Sequence, residues 1–373
     1  MNRHSPAPEQ DCTALVLQGG GALGAYQAGV YQALAEADCR PDWVAGISIG
    51  AVNAAIIAGN PPGQRVAHLR KFWELVSSGL TVPSLVSDGP LRSLFNDTAA
   101  AMGAILGIPG LFSPRMPPAL FALPGTPEAI SVYDSAPLRQ TLLDLVDFDL
   151  INSGATRFSV GAVNVLTGNF AYFDNHERRI IPEHIMASGA LPPGLPPVMI
   201  DGEPYWDGGL VSNTPLQYVL DMHRGGDCLV YQVDLFSAQG PVPRTLADVI
   251  QRDKDIRYSS RTRLNTDAAT QIAELREAAR RLTDRLPPEW RDDPDMRVLT
   301  QEKSAAAIAI MHLINRAESY ETPVKDYEFS RETMLGHWRS GKADTEHSLT
   351  DPRWIGRARR PGVVTFDLAR GCL

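Results

Sequence analysis

Cysteine is sparse in this chain. Cys12, Cys39, Cys228 and Cys372 stand far apart, with no C-x-x-C pair and no zinc-finger spacing. That scarcity indicates neither a disulfide framework nor a structural metal site, and it fits a reducing compartment such as the cytoplasm. Basic charge is also short: 35 Lys and Arg face 43 Asp and Glu, a formal net charge of −8. Nucleic-acid partners need clustered cations, so none is expected. Long apolar runs are missing too. No stretch approaches the ~20 consecutive apolar residues of a spanning helix, and the richest region, 99–124, is broken by Pro109, Pro114, Pro117 and Pro118. Residues 1–11 are polar and lack the basic start and apolar run of a signal peptide. Any membrane contact is therefore expected at the surface, not across the bilayer.

What is present is ordinary globular material, 44% hydrophobic and 21% charged, with ample apolar residues for a core. Thr13–Gln18 (TALVLQ) predicts a buried strand ending at glycines, and Ala25–Ala37 a helix. Trp43–Ile47 and Ile49–Ala58 repeat the strand and helix pattern, the second helix closing at Gly59, Asn60 and two prolines. This alternation predicts an α/β fold: a parallel-centred sheet sandwiched by helices. Further strands are expected at Arg157–Asn164, Phe170–Phe173 and Cys228–Leu235, and further helices at Arg65–Ser77 and Pro137–Leu145. The sheet is expected to end near residue 238. Beyond Gly240, Pro241 and Pro243 the sequence becomes charged and helix-favouring, at Leu246–Arg263, Ala268–Leu286 and Glu302–Ala317, with one strand at Val363–Leu368. The expected division is a flexible 1–11, an α/β domain over 12–238 and a mainly helical region over 239–373.

Three motifs carry chemistry. Gly46-Ile47-Ser48-Ile49-Gly50 lies between a predicted strand and a predicted helix. A serine on a sharp strand-to-helix turn needs such small neighbours, and Ser48 then faces out at the helix N-terminus as a nucleophile. Gly19-Gly20-Gly21-Ala22-Leu23-Gly24 also follows a strand and precedes a helix, where backbone N–H groups can gather around an anion. In a hydrolase that anion is the oxyanion of the tetrahedral intermediate. The same Gly19, Gly21 and Gly24 satisfy G-x-G-x-x-G, so a nucleotide-binding loop is the rival of another class. That reading requires an acid at the end of the second strand, whereas Asp42 precedes it. The third motif is Trp206-Asp207-Gly208-Gly209, followed by Asn213-Thr214-Pro215, which puts an aspartate on a glycine-opened loop. Alone it reads as a turn; beside a serine nucleophile it offers a base.

Together these blocks resemble the patatin-like phospholipase family, whose pattern is a Gly-rich block, a G-x-S-x-G elbow and an Asp-Gly-Gly/Ala segment in that order. Ala187-Ser188-Gly189-Ala190-Leu191-Pro192 matches a further block between elbow and aspartate, and the resemblance covers about residues 12–235. It implies that Ser48 is the nucleophile and Asp207 the sole base of a dyad. It also implies that Gly20 and Gly21, with neighbouring Gly19 and Gly24, furnish the oxyanion hole, and that Gly46 and Gly50 frame the elbow. The chain departs from the pattern at Leu23, where many members carry Arg or Lys. His223, His312, His337 and His347 follow Asp207 but sit in undistinguished contexts, so no histidine triad is expected. The implied activity is hydrolysis of acyl esters, of phospholipids, lysophospholipids or neutral lipids, or alternatively of hydroxyalkanoate-type esters. No cofactor or metal is called for.

Overall fold

The computed structural model describes residues 12–359 and 362–368, apart from 83, 85–88, 224–225, most of 261–305 and 317–321. β1 (Cys12–Leu17) and β2 (Trp43–Gly46) are parallel neighbours, joined through α1 (Ala25–Glu36). After β2 come α2 (Ile49–Ala58), α3 (Arg65–Val76) and α4 (Gly89–Leu106). A short antiparallel pair, β3 (Ser113–Pro114) and β4 (Tyr133–Asp134), precedes α5 (Ala136–Leu145) and α6 (Phe148–Asn152). β5 (Arg157–Asn164) continues the parallel sheet beside β2. It is flanked by the antiparallel β6 (Phe170–Asp174) and β8 (Glu203–Asp207), with α7 (Pro182–Ser188) and β7 (Val198–Ile200) between them in the chain. α8 (Leu216–Met222) leads into β9 (Cys228–Asp234), which pairs with the opposite edge of β1.

The expectation of a parallel-centred sheet between helices is met, but the sheet does not stop near residue 238. β10 (Ala307–Ile314) and β11 (Gly362–Asp367) add two parallel strands, giving nine among the described residues, in the order β11-β10-β9-β1-β2-β5-β8-β7 with β6 on β5. The helix expected over Glu302–Ala317 is therefore corrected to a strand where it is described. Ala307–Ile314 (AIAIMHLI) is buried on both faces, Ile310 on one side and Met311 and Leu313 on the other. A doubly covered parallel strand reads as a continuous apolar run without alternation, which adjoining Glu302, Lys303 and alanines disguise as helix. The strand expected at Val363–Leu368 is present as β11, and the helix expected at Leu246–Arg263 is α9 (Leu246–Tyr258). The helix expected over Ala268–Leu286 lies largely outside the described residues.

The C-terminal part is bound into the core by α10 (Arg331–Thr350), which packs along α1 and is followed by the short α11 (Pro352–Ile355). A Cβ on Gly29 would lie 1.9 Å from the Trp338 carbonyl oxygen, and one on Gly341 2.1 Å from that of Tyr26. Glycine at both positions lets the two backbones touch. Hydrogen bonds from Tyr26 Oη to Asp344 (2.8 Å) and from Trp338 Nε1 to Gln32 (2.6 Å) fix the pairing. α2 is buried along its whole length and apolar but for Asn53, whose side chain is hydrogen-bonded to the Gly24 carbonyl, Gln27 and Trp73. β1 lies where the strand order reverses, with β2 on one side and β9 on the other. In open α/β sheets that reversal leaves a crevice at the carboxyl ends of the strands.

Candidate active site

The loops after β1, β2, β8 and β9 meet in that crevice around a cavity of about 150 Å³. Its polar base holds Gly20, Gly21, Ser48 and Asp207; its apolar walls include Leu111, Phe112, Leu138, Leu195, Phe236 and Phe329.

Ser48 sits between β2 and α2 with φ 54° and ψ −123°. Such a conformation costs a non-glycine residue about 1–3 kcal/mol and persists only where the surroundings enforce it. The enforcement is local. A Cβ on Gly46 would meet the Gly50 carbonyl oxygen at 2.3 Å, and one on Gly50 the Leu17 carbonyl oxygen at 2.4 Å, so both elbow glycines are sterically required. The Ile47 N–H donates to the Leu17 carbonyl (3.1 Å) and the Gly50 N–H to that of Ile47 (2.8 Å). The Ser48 N–H donates to Ser188 Oγ at 2.9 Å, and Ser188, at the end of α7, is fully buried. The Ala187–Pro192 block thus contributes a hydroxyl that holds the backbone of the nucleophile candidate.

Asp207 ends β8, 3% exposed. Its N–H donates to the Ala190 carbonyl at 3.0 Å, and its Oδ1 accepts from the Gly209 N–H at 2.7 Å. The carboxyl group interacts with the Ser48 hydroxyl. Burial drives its pKa from the ordinary 3.8 up to about 7, against the opposing pull of the Ser48 hydroxyl and the Gly209 N–H. A carboxylate near 7 matches the requirements of a general base at neutral pH.

The glycine block divides its tasks. Gly19, Gly20 and Gly21 line the cavity, and Gly21 has φ 53°, a region that favours glycine. Gly19 and Gly24 depart from the expected oxyanion role. The Gly19 N–H is committed to the Asn213 carbonyl at 3.1 Å. Gly24 does not line the cavity; a Cβ there would come within 2.8 Å of Ile49 and 3.0 Å of Trp73, so its place is in packing α1 against α2 and α3. The physical reason is the tight one-turn helix at Gly21–Gly24, which carries the chain away from the crevice.

Two polar residues outside the three motifs organise the loops. Gln18 is completely buried. Its Nε2 donates to Thr214 Oγ1 and to the Tyr258 carbonyl, each at 2.9 Å, and its Oε1 accepts from the N–H groups of Leu235 (2.6 Å) and Phe236 (3.0 Å). Asn213 Nδ2 donates to the Gly19 carbonyl (3.0 Å) and to that of Tyr258 (2.9 Å). A fully satisfied buried network of this kind specifies one arrangement of the backbone around the serine. Tyr258, Asp326, Tyr327 and Phe329, all beyond residue 239, complete the cavity wall. Asp326 is a second buried carboxyl group there; burial raises its pKa and its ion pair with Lys254 opposes the rise.

None of the histidines lines the cavity among the described residues. His312 pairs with Asp234, His337 is buried within α10, and His223 hydrogen-bonds the Gly226 carbonyl at 2.8 Å. The nucleotide reading finds no support either, because the Asp42 carboxylate accepts the N–H of Thr13 (3.0 Å), near the amino end of β1 and away from the glycine loop. The proline-broken segment 99–124 divides between solvent and cavity. Its first part finishes α4 with Met102, Ile105 and Leu106 exposed, while Leu111 and Phe112 turn into the cavity wall.

Over 86 residues the chain is 36% identical to patatin-like phospholipase domain-containing protein 6 of Homo sapiens and of Mus musculus, and over 85 residues it is 35% identical to the corresponding protein 7 of Rattus norvegicus. Each match covers 23% of this chain and only 6% of the relative. The solved structure of VipD from Legionella pneumophila aligns over 91% of this chain and 67% of its own, with 16% identity and a TM-score of 0.35. A family model described as patatin phospholipase matches residues 256–361, and that of patatin-like phospholipase matches residues 15–220. With more than half of its length covered by the second of these, the chain belongs to the patatin-like phospholipase family of lipid acyl hydrolases.

Proposed function

We propose that the chain hydrolyses carboxylic esters of lipids through a Ser48–Asp207 dyad. The observation that carries this reading is the pairing of a serine on a strained elbow with a buried aspartate at the base of an apolar cavity. Asp207 accepts the Ser48 proton as Oγ attacks the ester carbonyl, and the N–H groups of Gly20 and Gly21 receive the oxyanion. Collapse of the tetrahedral intermediate expels the alcohol, which takes the proton back from Asp207, and leaves an acyl-Ser48. Water then gives a proton to Asp207 while attacking the acyl carbonyl, and the acid departs with Ser48 restored.

The substrate end is set by the walls. A cavity of this volume admits a body of roughly benzene size, so only the first carbons of an acyl chain fit inside and a longer chain leaves through the mouth. Met116, Leu120, Phe121 and Leu123, none of which lines the cavity, are between 75% and 89% exposed. An apolar cluster this exposed suits a lipid surface. No described helix is long and apolar enough to cross a membrane, so the proposed contact is peripheral. Position 23 is a fully buried leucine, so no cation stands there to hold a phosphate, which favours esters without a charged headgroup. Tyr258, Asp326, Tyr327 and Phe329 make the region after 239 part of the acyl site.

Hydrolysis of p-nitrophenyl esters of increasing chain length, alongside phospholipid vesicles, tests the proposal. Turnover of the esters that vanishes in Ser48→Ala supports it; absence of turnover on every ester and vesicle overturns it.

A further inference from the structure

At the opposite end of the sheet from Ser48, three residues distant in sequence converge. Cys12 opens β1 and Cys228 opens β9, and the two are direct partners across this parallel pair. His223 caps the C-terminus of α8 just before β9. The two Sγ atoms and one imidazole nitrogen all lie within 4.8 Å of one another. We propose that Cys12, His223 and Cys228 form a Zn²⁺ site that clamps the first strand to β9 and α8.

The donor set suits zinc. Two thiolates and a neutral imidazole neutralise the dication, and thiolates favour zinc over harder cations such as Mg²⁺ or Ca²⁺. Tetrahedral coordination, with Zn–S near ~2.3 Å and Zn–N near ~2.0 Å, needs ligand atoms about 3.5–3.8 Å apart. The three groups therefore have to close by no more than about 1.3 Å. The imidazole is already oriented: with Nε2–H donating to the Gly226 carbonyl at 2.8 Å, Nδ1 keeps its lone pair for the metal. A backbone carbonyl fixing the other ring nitrogen is the usual outer partner of a metal-bound histidine. The Cys12 N–H donates to the Asp227 carbonyl at 2.9 Å, holding the two strand starts together. Asp42 acts electrostatically on both thiols and adds negative potential without being a ligand.

Binding balances as one Zn²⁺ taken up and two thiol protons released to solvent, with water in the fourth position. None of the three residues lines the cavity, and six strand residues, about 20 Å of β1, separate this end from the Ser48 end. The site is therefore remote from the Ser48 chemistry, and its expected effect is on stability.

The test uses the full chain, reduced and treated with chelator, then titrated with Zn²⁺ and, in parallel, with Co²⁺. The expected result is one equivalent of Zn²⁺, a higher Tm on saturation, and a thiolate-to-cobalt charge-transfer absorption with tetrahedral d–d bands. Cys12→Ser, Cys228→Ser and His223→Ala are each expected to weaken binding by more than about 100-fold, beyond the loss seen when only an outer partner is removed. Cys39→Ser, in a cysteine outside the cluster, is expected to change nothing. Absence of the charge-transfer band in the unaltered protein overturns the site whether or not the variants fold. So does zinc binding that survives all three substitutions, or a Cys12–Cys228 disulfide whose reduction restores no metal uptake.

Discussion

Asp207 is where the proposed chemistry and the stability of the fold oppose one another, and their opposition can be measured. Burial holds this carboxyl group near 7 in the folded chain, against 3.8 ordinarily. Below about pH 3.8 folded and unfolded chains both carry the proton, and the group has no effect on stability. Between about 3.8 and 7 only the unfolded chain ionises, so stability is lost as pH rises; above about 7 both are ionised and the loss is complete. At 1.36 kcal/mol per pH unit the full cost is about 4 kcal/mol, of which about 3 kcal/mol accrues between pH 5 and pH 8. Asp207→Asn retains the side-chain shape and an acceptor for the Gly209 N–H but cannot ionise. Urea unfolding of both proteins at pH 5 and pH 8 removes the titration of every other group from the comparison. The variant is expected to gain about 3 kcal/mol relative to the parent between the two pH values, a gain in stability at the expense of activity. A difference that does not change with pH, or a variant that becomes relatively less stable at pH 8, refutes the claim that a buried, reluctantly ionised aspartate sits beside the serine.

Three further outcomes are expected. Ester turnover should rise with pH through about 7 as Asp207 ionises; a pH–rate profile already flat at pH 5 contradicts its role as base. Ser188→Ala should lower kcat by about tenfold or more through loosened placement of Ser48, with little change in KM, because the Ser188 hydroxyl accepts the Ser48 N–H; equal loss through KM alone argues against this. Replacing Leu111, Phe112 and Phe121 by polar residues should harm long-chain esters far more than short ones, since the first two line the cavity and the third belongs to the exposed apolar segment proposed to meet the lipid surface. Equal loss on all chain lengths, with a lowered Tm, assigns them to packing.

How much of this was legible from the sequence depended on how local the signal was. β1, α1, β2, α2 and β5 could be read nearly to their ends, because each pairs an apolar run with a glycine or proline stop. β10 could not, since a strand covered on both faces lacks the alternation that distinguishes strand from helix. α10 was missed because Gly336 and Gly341 interrupt a charged stretch, although Gly341 is what allows it to lie against α1. At the site, Ser48 and Asp207 stood out through their glycines. The bonding roles of Gln18, Ser188, Asn213 and Tyr258 did not, because they join loops over 100 residues apart, and no spacing rule encodes such bonds. The glycine block shows the converse: four glycines look alike, and only the backbone path separates the three that line the cavity, Gly19 with its N–H already committed, from Gly24, which serves packing. The Cys12, His223 and Cys228 cluster escaped the spacing argument for the same reason, being assembled from the starts of two strands and the end of a helix.

The central claim, that Ser48 is a nucleophile activated by Asp207, is tested most directly by the rate at which a fluorophosphonate probe bonds to Ser48, followed by peptide mass spectrometry. The account predicts labelling at Ser48 alone, abolished in Ser48→Ala, slowed by ~10²–10⁴-fold in folded Asp207→Asn, and little changed in His312→Ala or His337→Ala. Labelling that persists in Ser48→Ala, or that proceeds at the parent rate in Asp207→Asn, contradicts it.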